Sequence, residues 1–136
     1  MTVRDNDLEK LKELYASGVI LESCNRFGES LLHIACRRGH TRMVKFLVEE
    51  VKVSVHIADD MNRLPLHDAC WASKPNFEIV KLLLREAPEH ALCADKRGHV
   101  PFDYTRQPYW TEWVSFLFEH GSLFQSMAAA SVKQEA

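Results

Sequence analysis

A segment of about 34 residues recurs along this 136-residue chain, and this periodicity restricts the fold more than any other feature. The copies begin at Asn25, Asp59 and Asp95, so their starts lie 34 and then 36 residues apart. Their central parts read LLHIACRRGH, PLHDACWASK and PFDYTRQPYW. Repeats of this length are single supersecondary units that bury a continuous core by stacking on one another. The sequence therefore predicts stacked units rather than two independent domains.

Each copy has the residues expected for a tight turn followed by two helices. Gly28, Asn62 and Gly98 share one position, and all three tolerate a positive φ. Pro65 and Pro101 stand where the first helix begins, a position at which the missing N–H of proline has no cost. The second helix has apolar residues at helical spacing in every copy: Met43, Val44, Phe46 and Leu47; Ile79, Val80, Leu82 and Leu83; Trp113, Val114, Phe116 and Leu117. One helix pair cannot bury such a face alone, so we expect these residues to form a shared core.

The motifs LLHIAC and LPLHDAC resemble the ankyrin repeat, whose signature is T-P-L-H-x-A at a period of about 33 residues. The resemblance implies an all-α solenoid of stacked helix-turn-helix units joined by β-turn or hairpin-like loops. It also implies a structural role for His33 and His67, which close hydrogen bonds within and between repeats in such proteins. Asp103 replaces this histidine in the third copy, and Tyr109 replaces the usual glycine of the helix turn, as is typical of a terminal repeat.

The repeat boundaries predict one domain over residues 1–121. It comprises a half-repeat cap at 5–24 and repeats at 25–58, 59–94 and 95–121, followed by a tail at 122–136 that is partly helical or frayed. The cap is inferred from NDLEKLKELYASGV, which resembles the second half of a repeat, with Asn6 and Glu9 spaced as a capping box. This half-repeat is either an N-terminal cap or the remainder of a longer array.

Composition narrows the function classes. The chain is 46% apolar and 26% charged with a net charge of -2, and no apolar run approaches the roughly 20 residues of a membrane span. We therefore expect an intracellular protein, cytoplasmic or nuclear, without membrane insertion. Four cysteines without a CxxC pair indicate free thiols rather than a metal site. No nucleophile, phosphate-loop or metalloprotease motif occurs, so we predict a non-enzymatic protein with no cofactor and no bound metal.

The resemblance places partner binding at the turn tips and on the exposed inner face of the first helices. The corresponding residues are Arg26, Phe27, Arg37, Arg38, Asp60, Met61, Arg63, Trp71, Lys96, Arg97 and His99. Six cations on this face stand against Glu29 and Asp60, which gives it a net charge of +4 and leaves -6 for the rest of the chain. Trp71 lies in the middle repeat and is the expected anchor. The alternative is that Trp71 packs against the inserted loop at 73–77.

These features predict a monomeric module that binds an acidic segment of another protein on a basic concave face, without chemistry. Binding of nucleic acid or a phosphate ligand on the same face is the first alternative. It is less favoured, because six dispersed cations and one aromatic residue lack the stacking platforms of such proteins. A regulatory fragment of a larger enzyme or channel is the other alternative.

Overall fold

The computed structural model describes residues 8–21 and 24–124, and within them the fold is an all-α solenoid, as predicted. The α-helices are α1 (Leu8–Ala16), α2 (Leu31–Arg38), α3 (Thr41–Lys45), α4 (Pro65–Trp71), α5 (Phe77–Glu86) and α6 (Trp110–Glu119). Helix α3 continues as a π-helix over Phe46–Val51, and short 3-10 helices span Pro88–Leu92, Pro101–Tyr104, Gln107–Tyr109 and Gly121–Phe124. The expected capping box of Asn6 and most of the expected tail at 122–136 lie outside the described residues.

Each repeat opens with a turn that is closed by the side chain of its first residue. The Asn25 side-chain oxygen accepts hydrogen bonds from the backbone N–H groups of Phe27 and Glu29, at 2.9 and 3.0 Å. Asp59 and Asp95 accept the same two bonds in their own repeats. The repeated sequence therefore produces a repeated turn, because Asn and Asp side chains are short enough to bond to nearby backbone.

The turns pass through left-handed backbone at the predicted positions. Gly28, Asn62 and Gly98 have φ angles of 76°, 60° and 82°. At Gly28 the turn is also tightly packed, since a Cβ atom there would lie 2.6 Å from Asp60 Oδ1 and 2.9 Å from the Asp60 backbone nitrogen. At Gly98 no described heavy atom lies within 4 Å of such a Cβ atom. The two glycines thus share a backbone requirement and differ in packing.

The first motif histidine holds its own helix and the next repeat together. His33 Nδ1 accepts a hydrogen bond from the Ser30 backbone N–H at 3.1 Å, and the Ser30 hydroxyl accepts from the His33 backbone N–H at 3.2 Å. Since Nδ1 is an acceptor, the ring proton is assigned to Nε2, which donates to the Arg63 carbonyl at 2.9 Å. Burial lowers the pKa of His33, so the ring is neutral at neutral pH.

The second repeat keeps this arrangement without a capping hydroxyl. The Leu64 backbone N–H donates to His67 Nδ1 at 3.0 Å, and His67 Nε2 donates to the His99 carbonyl at 3.1 Å. In the third repeat the Val100 backbone N–H donates to Asp103 Oδ2 at 2.9 Å. The residue at the third position of each first helix therefore satisfies one otherwise unpaired backbone donor in all three repeats.

Most of the predicted apolar stripe is buried in one core: Met43, Val44, Phe46, Leu47, Ile79, Val80, Leu83, Trp113 and Phe116. Leu82 and Leu117 are half-buried against it. The prediction was wrong for Val114, which is 64% exposed. Val44 and Val80 are each followed by another repeat, whereas the described residues after α6 form only a short 3-10 helix. Val114 is therefore exposed because, among the described residues, it has no following repeat to pack against.

The first helix of the third repeat is shorter than its counterparts. It is a single 3-10 turn, Pro101–Tyr104, which ends at Thr105. Pro108 has no N–H to donate to the Tyr104 carbonyl four residues earlier, so an α-helix cannot continue through this segment. The Thr105 hydroxyl instead donates to the Phe102 carbonyl at 2.8 Å. Thr105 and Arg106 are consequently in a loop rather than on a helix.

Helix α4 buries a carboxyl group between the first two repeats. Asp68 is 4% exposed, and its Oδ2 atom lacks a hydrogen-bond partner in the structure. The nearest cation is Arg37, whose Nη1 lies 3.9 Å from Oδ2. Burial raises the pKa of Asp68 to about 7, and Arg37 offsets this effect only in part.

We expect Gly28→Ala to destabilise the fold more than Gly98→Ala. Both changes place a Cβ atom on left-handed backbone, which costs about 1 to 2 kcal/mol. Only the first also forces a contact with Asp60, which adds about 1 to 3 kcal/mol. Urea unfolding of both variants measures the difference in the free energy of unfolding. Equal losses would show that the Asp60 turn moves aside without strain.

Asp68→Asn should stabilise the protein progressively as the pH rises. The wild-type carboxyl has a pKa raised from 3.8 to about 7, so it binds more protons in the folded state than in the unfolded state between these values. Burial favours the neutral form of Asp68 in the folded state. The stability that this form contributes is fully present below the pKa of the unfolded chain and is lost as the pH rises through the pKa of the folded state. The stability difference between variant and wild type should therefore grow by about 2 to 4 kcal/mol from pH 4 to pH 8.

Urea unfolding at both pH values measures this difference, and comparison with wild type cancels the contribution of the histidines. A difference that does not change with pH would mean that Asp68 stays ionised and paired with Arg37.

Candidate partner-binding site

The turn tips of the three repeats lie in a row. The Asp60 backbone N–H donates to the Phe27 carbonyl at 3.1 Å, and the Lys96 N–H donates to the Met61 carbonyl at 3.0 Å. The Arg26 guanidinium lies 4.9 Å from the centroid of the Phe27 ring. These tips come from successive repeats, so their order along the row follows from the repeat itself.

Two further predicted residues complete the last tip. Arg97 is exposed, and its backbone N–H is held by Asp95 at 2.9 Å. His99 Nδ1 lies 3.7 Å from Asp103 Oδ2, and its ring contacts Tyr104 edge-on with centroids 5.6 Å apart. The last tip thus combines an exposed cation with a half-exposed imidazole beside a carboxylate.

Two of the predicted arginines are engaged with carboxylates of their own turns. Arg37 forms an ion pair with Glu29, whose pKa is lowered because hydrogen bonds from Arg37 and Asn25 outweigh the effect of burial. Arg63 Nε lies 3.2 Å from the buried Oδ2 atom of Asp59. The net charge of +4 predicted from the sequence for this face did not include Asp59. These pairs hold the turns in place and compensate part of the positive charge.

The structure brings Arg37, Arg38 and Trp71 together at the ends of the first helices. They line an open pocket of about 380 Å³ together with Arg106. A second pocket of about 230 Å³ shares four of its lining residues and extends along the inserted loop. We call the two together the basic groove, lined by Arg37, Arg38, Gly39, His40, Trp71, Ala72, Ser73, Lys74, Pro75, Asn76 and Arg106. Four of these residues are cations, and none carries a carboxylate.

Arg106, which was not among the predicted site residues, is fixed against Trp71. Its guanidinium carbon lies 4.3 Å from the indole centroid, and its Nε donates to the Trp71 carbonyl at 3.0 Å. The Tyr104 ring meets the indole edge-on with centroids 6.1 Å apart. Trp71 nevertheless remains 46% exposed. The ring contacts of Trp71 are thus with the next repeat, while the inserted loop contributes Ser73 to the same pocket.

Local backbone explains why Arg106 reaches the groove. It aligns with Cys36 and Cys70, which lie on helices and are fully buried, so that burial raises the pKa of both thiols. In the third repeat the helix has already ended before this position. Pro108 was the only sequence signal for this change, and a proline does not indicate where a displaced side chain will point.

The walls of the groove are held by polar contacts between repeats. Asn76 Nδ2 donates to the Thr41 hydroxyl at 2.7 Å and to the Gly39 carbonyl at 3.3 Å, and its side-chain oxygen caps α5 by accepting from the Ile79 N–H. His40 Nδ1 is buried and has no hydrogen-bond partner among the residues that the structure describes. The groove therefore combines a fixed shape with an unsatisfied polar atom.

Among residues 8–21 and 24–124, one cluster has the composition of a metal site, namely His56, Glu89 and His90. Over the same residues no helix has the length and apolar character needed to cross a membrane.

Known proteins with similar sequences include enzymes and a repeat protein. The chain is 35% identical over 77 residues to the mitochondrial liver isoform of glutaminase from Rattus norvegicus, which covers 57% of this chain and 12% of that protein. It is 27% identical over 121 residues to the ankyrin repeat protein YahD of Escherichia coli (strain K12), covering 87% of this chain and 60% of that protein. It is 36% identical over 67 residues to the E3 ubiquitin-protein ligase KEG of Arabidopsis thaliana, covering 49% of this chain and 4% of the ligase.

The chain thus spans about one eighth of the length of the glutaminase and less than two thirds of YahD. The enzyme names describe whole proteins of which it resembles a small part.

The family comparison agrees with the fold. Residues 1–95 match the family model for ankyrin repeats in three copies. Ankyrin repeats generally mediate protein–protein interaction and are generally non-catalytic. The match covers more than half of the chain and includes the helix pairs α2–α3 and α4–α5 with the motif histidines His33 and His67, whereas the helices after residue 95 lie beyond it. The chain belongs to the ankyrin repeat family.

Proposed function

We propose that this protein binds an acidic segment of a partner protein in the basic groove, as a stoichiometric interaction without catalysis. The observation that carries the proposal is the lining of the groove, which offers four cationic side chains and an exposed indole but no carboxylate. A segment rich in Asp or Glu is complementary to such a surface in both charge and hydrogen bonding.

Trp71 and Arg106 are the proposed anchor of the site. The carbonyl of Trp71 and its ring face hold the guanidinium in place, so less side-chain freedom is lost when a carboxylate binds. The exposed part of the indole remains available for an apolar side chain of the same segment. Tryptophan and arginine are the residues that most often dominate binding energy at interfaces.

Arg38 provides the second contact across the groove. It lies in the last turn of α2, is exposed, and borders both pockets. Arg37 beside it is already paired with Glu29 and serves mainly to orient the wall. The exposed tip residues Arg26, Lys96 and Arg97 extend the positive surface beyond the groove and would accelerate the approach of an acidic partner.

We expect the double variant Arg38→Ala/Arg106→Ala to bind a glutamate-rich peptide at least about tenfold more weakly than wild type. Each arginine contributes a charge-assisted hydrogen bond worth about 1.5 to 3 kcal/mol. Fluorescence anisotropy with a labelled peptide measures the dissociation constant, and a peptide with Gln in place of Glu controls for charge. Arg85→Ala is the matched control, since Arg85 is exposed near the end of α5 and does not line the groove.

Unchanged peptide affinity in the double variant, with melting temperature and helix content as in wild type, would rule out the groove as the site. The same titration with a labelled single-stranded oligonucleotide tests the nucleic-acid alternative. Tighter binding of the oligonucleotide than of the peptide, with a steep loss as salt rises, would replace the acidic partner by a nucleic acid.

A further inference from the structure

Two histidines from consecutive repeats meet in loops that follow the second helices. His90 Nε2 lies 2.9 Å from His56 Nδ1, and the rings are nearly perpendicular with centroids 4.7 Å apart. Glu89 precedes His90 in the 3-10 helix Pro88–Leu92. One ligand atom from each of the three side chains lies within 4.8 Å of the other two. Nitrogen and oxygen donors thus converge at a junction between repeats.

The three side chains differ in exposure, and this difference suits the binding of an ion. His90 is buried, and its helix is closed by the bond from the His90 N–H to the Ala87 carbonyl at 3.1 Å, so its position is set by the fold. His56 and Glu89 are exposed and can rotate. In the contact between the two ring nitrogens one nitrogen donates its proton and the other accepts, so metal binding requires the donor ring to carry its proton on its other nitrogen instead.

We propose that His56, Glu89 and His90 form a binding site for a divalent transition metal ion, with zinc as the ion of reference. Two imidazoles and one carboxylate are the protein ligands of a well-known class of zinc site that leaves a fourth position to water. Tetrahedral zinc with bonds of about 2.0 to 2.1 Å places its ligand atoms about 3.3 Å apart. The two ring nitrogens, now 2.9 Å apart, need to separate by a few tenths of an ångström, and the exposed Glu89 carboxylate needs to move towards them.

Such an ion would tie the loop after the first repeat to the loop after the second. The ligands His56 and His90 are 34 residues apart, so the ion closes a loop of one repeat length. Binding to the folded state alone raises stability by mass action. The competing explanation is that the two histidines form only a hydrogen bond between repeats. That contact would be present without metal and would not respond to added zinc.

The test is a calorimetric titration of the full chain with zinc chloride alone, in a buffer that does not chelate metal. We expect saturable one-to-one binding and a higher melting temperature in the presence of zinc. His56→Ala and Glu89→Gln should each weaken zinc binding at least about tenfold, since each removes one of three ligands. His120→Ala is the matched control, because His120 is a partly exposed histidine that lies against Phe116 outside the cluster, and it should bind zinc as wild type does.

Cysteine thiols also bind zinc in proteins. Cys93 is the thiol to test, because its Sγ lies 3.6 Å from the Glu89 carbonyl oxygen. Cys93→Ser should therefore leave the affinity unchanged, and cobalt bound in place of zinc should show no thiolate-to-metal charge-transfer band. The proposal is overturned if wild type shows no saturable binding below about 1 mM zinc. It is also overturned if His56→Ala and Glu89→Gln bind zinc as wild type does, or if only Cys93→Ser loses binding.

Discussion

The hydrogen bond from a buried histidine ring to a backbone carbonyl of the next repeat is the contact on which the arrangement of this protein depends. His33 Nε2 reaches the Arg63 carbonyl, and His67 Nε2 reaches the His99 carbonyl. Both rings are buried, so an unpaired Nε2–H group would carry the full cost of its lost hydration. Each ring therefore fixes the distance between one helix pair and the turn of its neighbour. This spacing aligns the turn tips and leaves a groove between adjacent first helices.

The groove forms where the chain departs from its own repeat. Two inserted residues lengthen the loop before α5, and Asn76 fastens that loop to Gly39 and Thr41 of the preceding repeat. In the third repeat Pro108 ends the first helix early and frees Arg106 to lie over Trp71. Regular positions of the repeat build the scaffold, and irregular positions supply most of the lining of the proposed binding groove. This division is expected, because local rules are broken most often where a surface serves a function.

Charged side chains have different surroundings in the interior between repeats, at the turns and in the basic groove. Inside it, Asp68 has a raised pKa because burial penalises its ionised form more than Arg37 favours it. At the turns, Glu29 and Asp59 hold Arg37 and Arg63 in ion pairs. Arginines that look equivalent in the sequence therefore have different roles. Arg37 and Arg63 hold the turns in place, whereas Arg38 and Arg106 belong to the proposed surface for a partner.

The fold class, the positive-φ turns and most of the core could be predicted from the sequence alone. These features repeat at a fixed spacing and rest on local physics: apolar residues every three or four positions, Asn or Asp at the turn, and a histidine that caps its own helix. The exposure of Val114, the position of Arg106 over Trp71 and the contact of His56 with His90 became evident only in the folded arrangement of the repeats. Each of these outcomes depends on which repeat lies beside which and on where a helix ends, and contacts between residues more than 30 positions apart leave no local pattern in the chain.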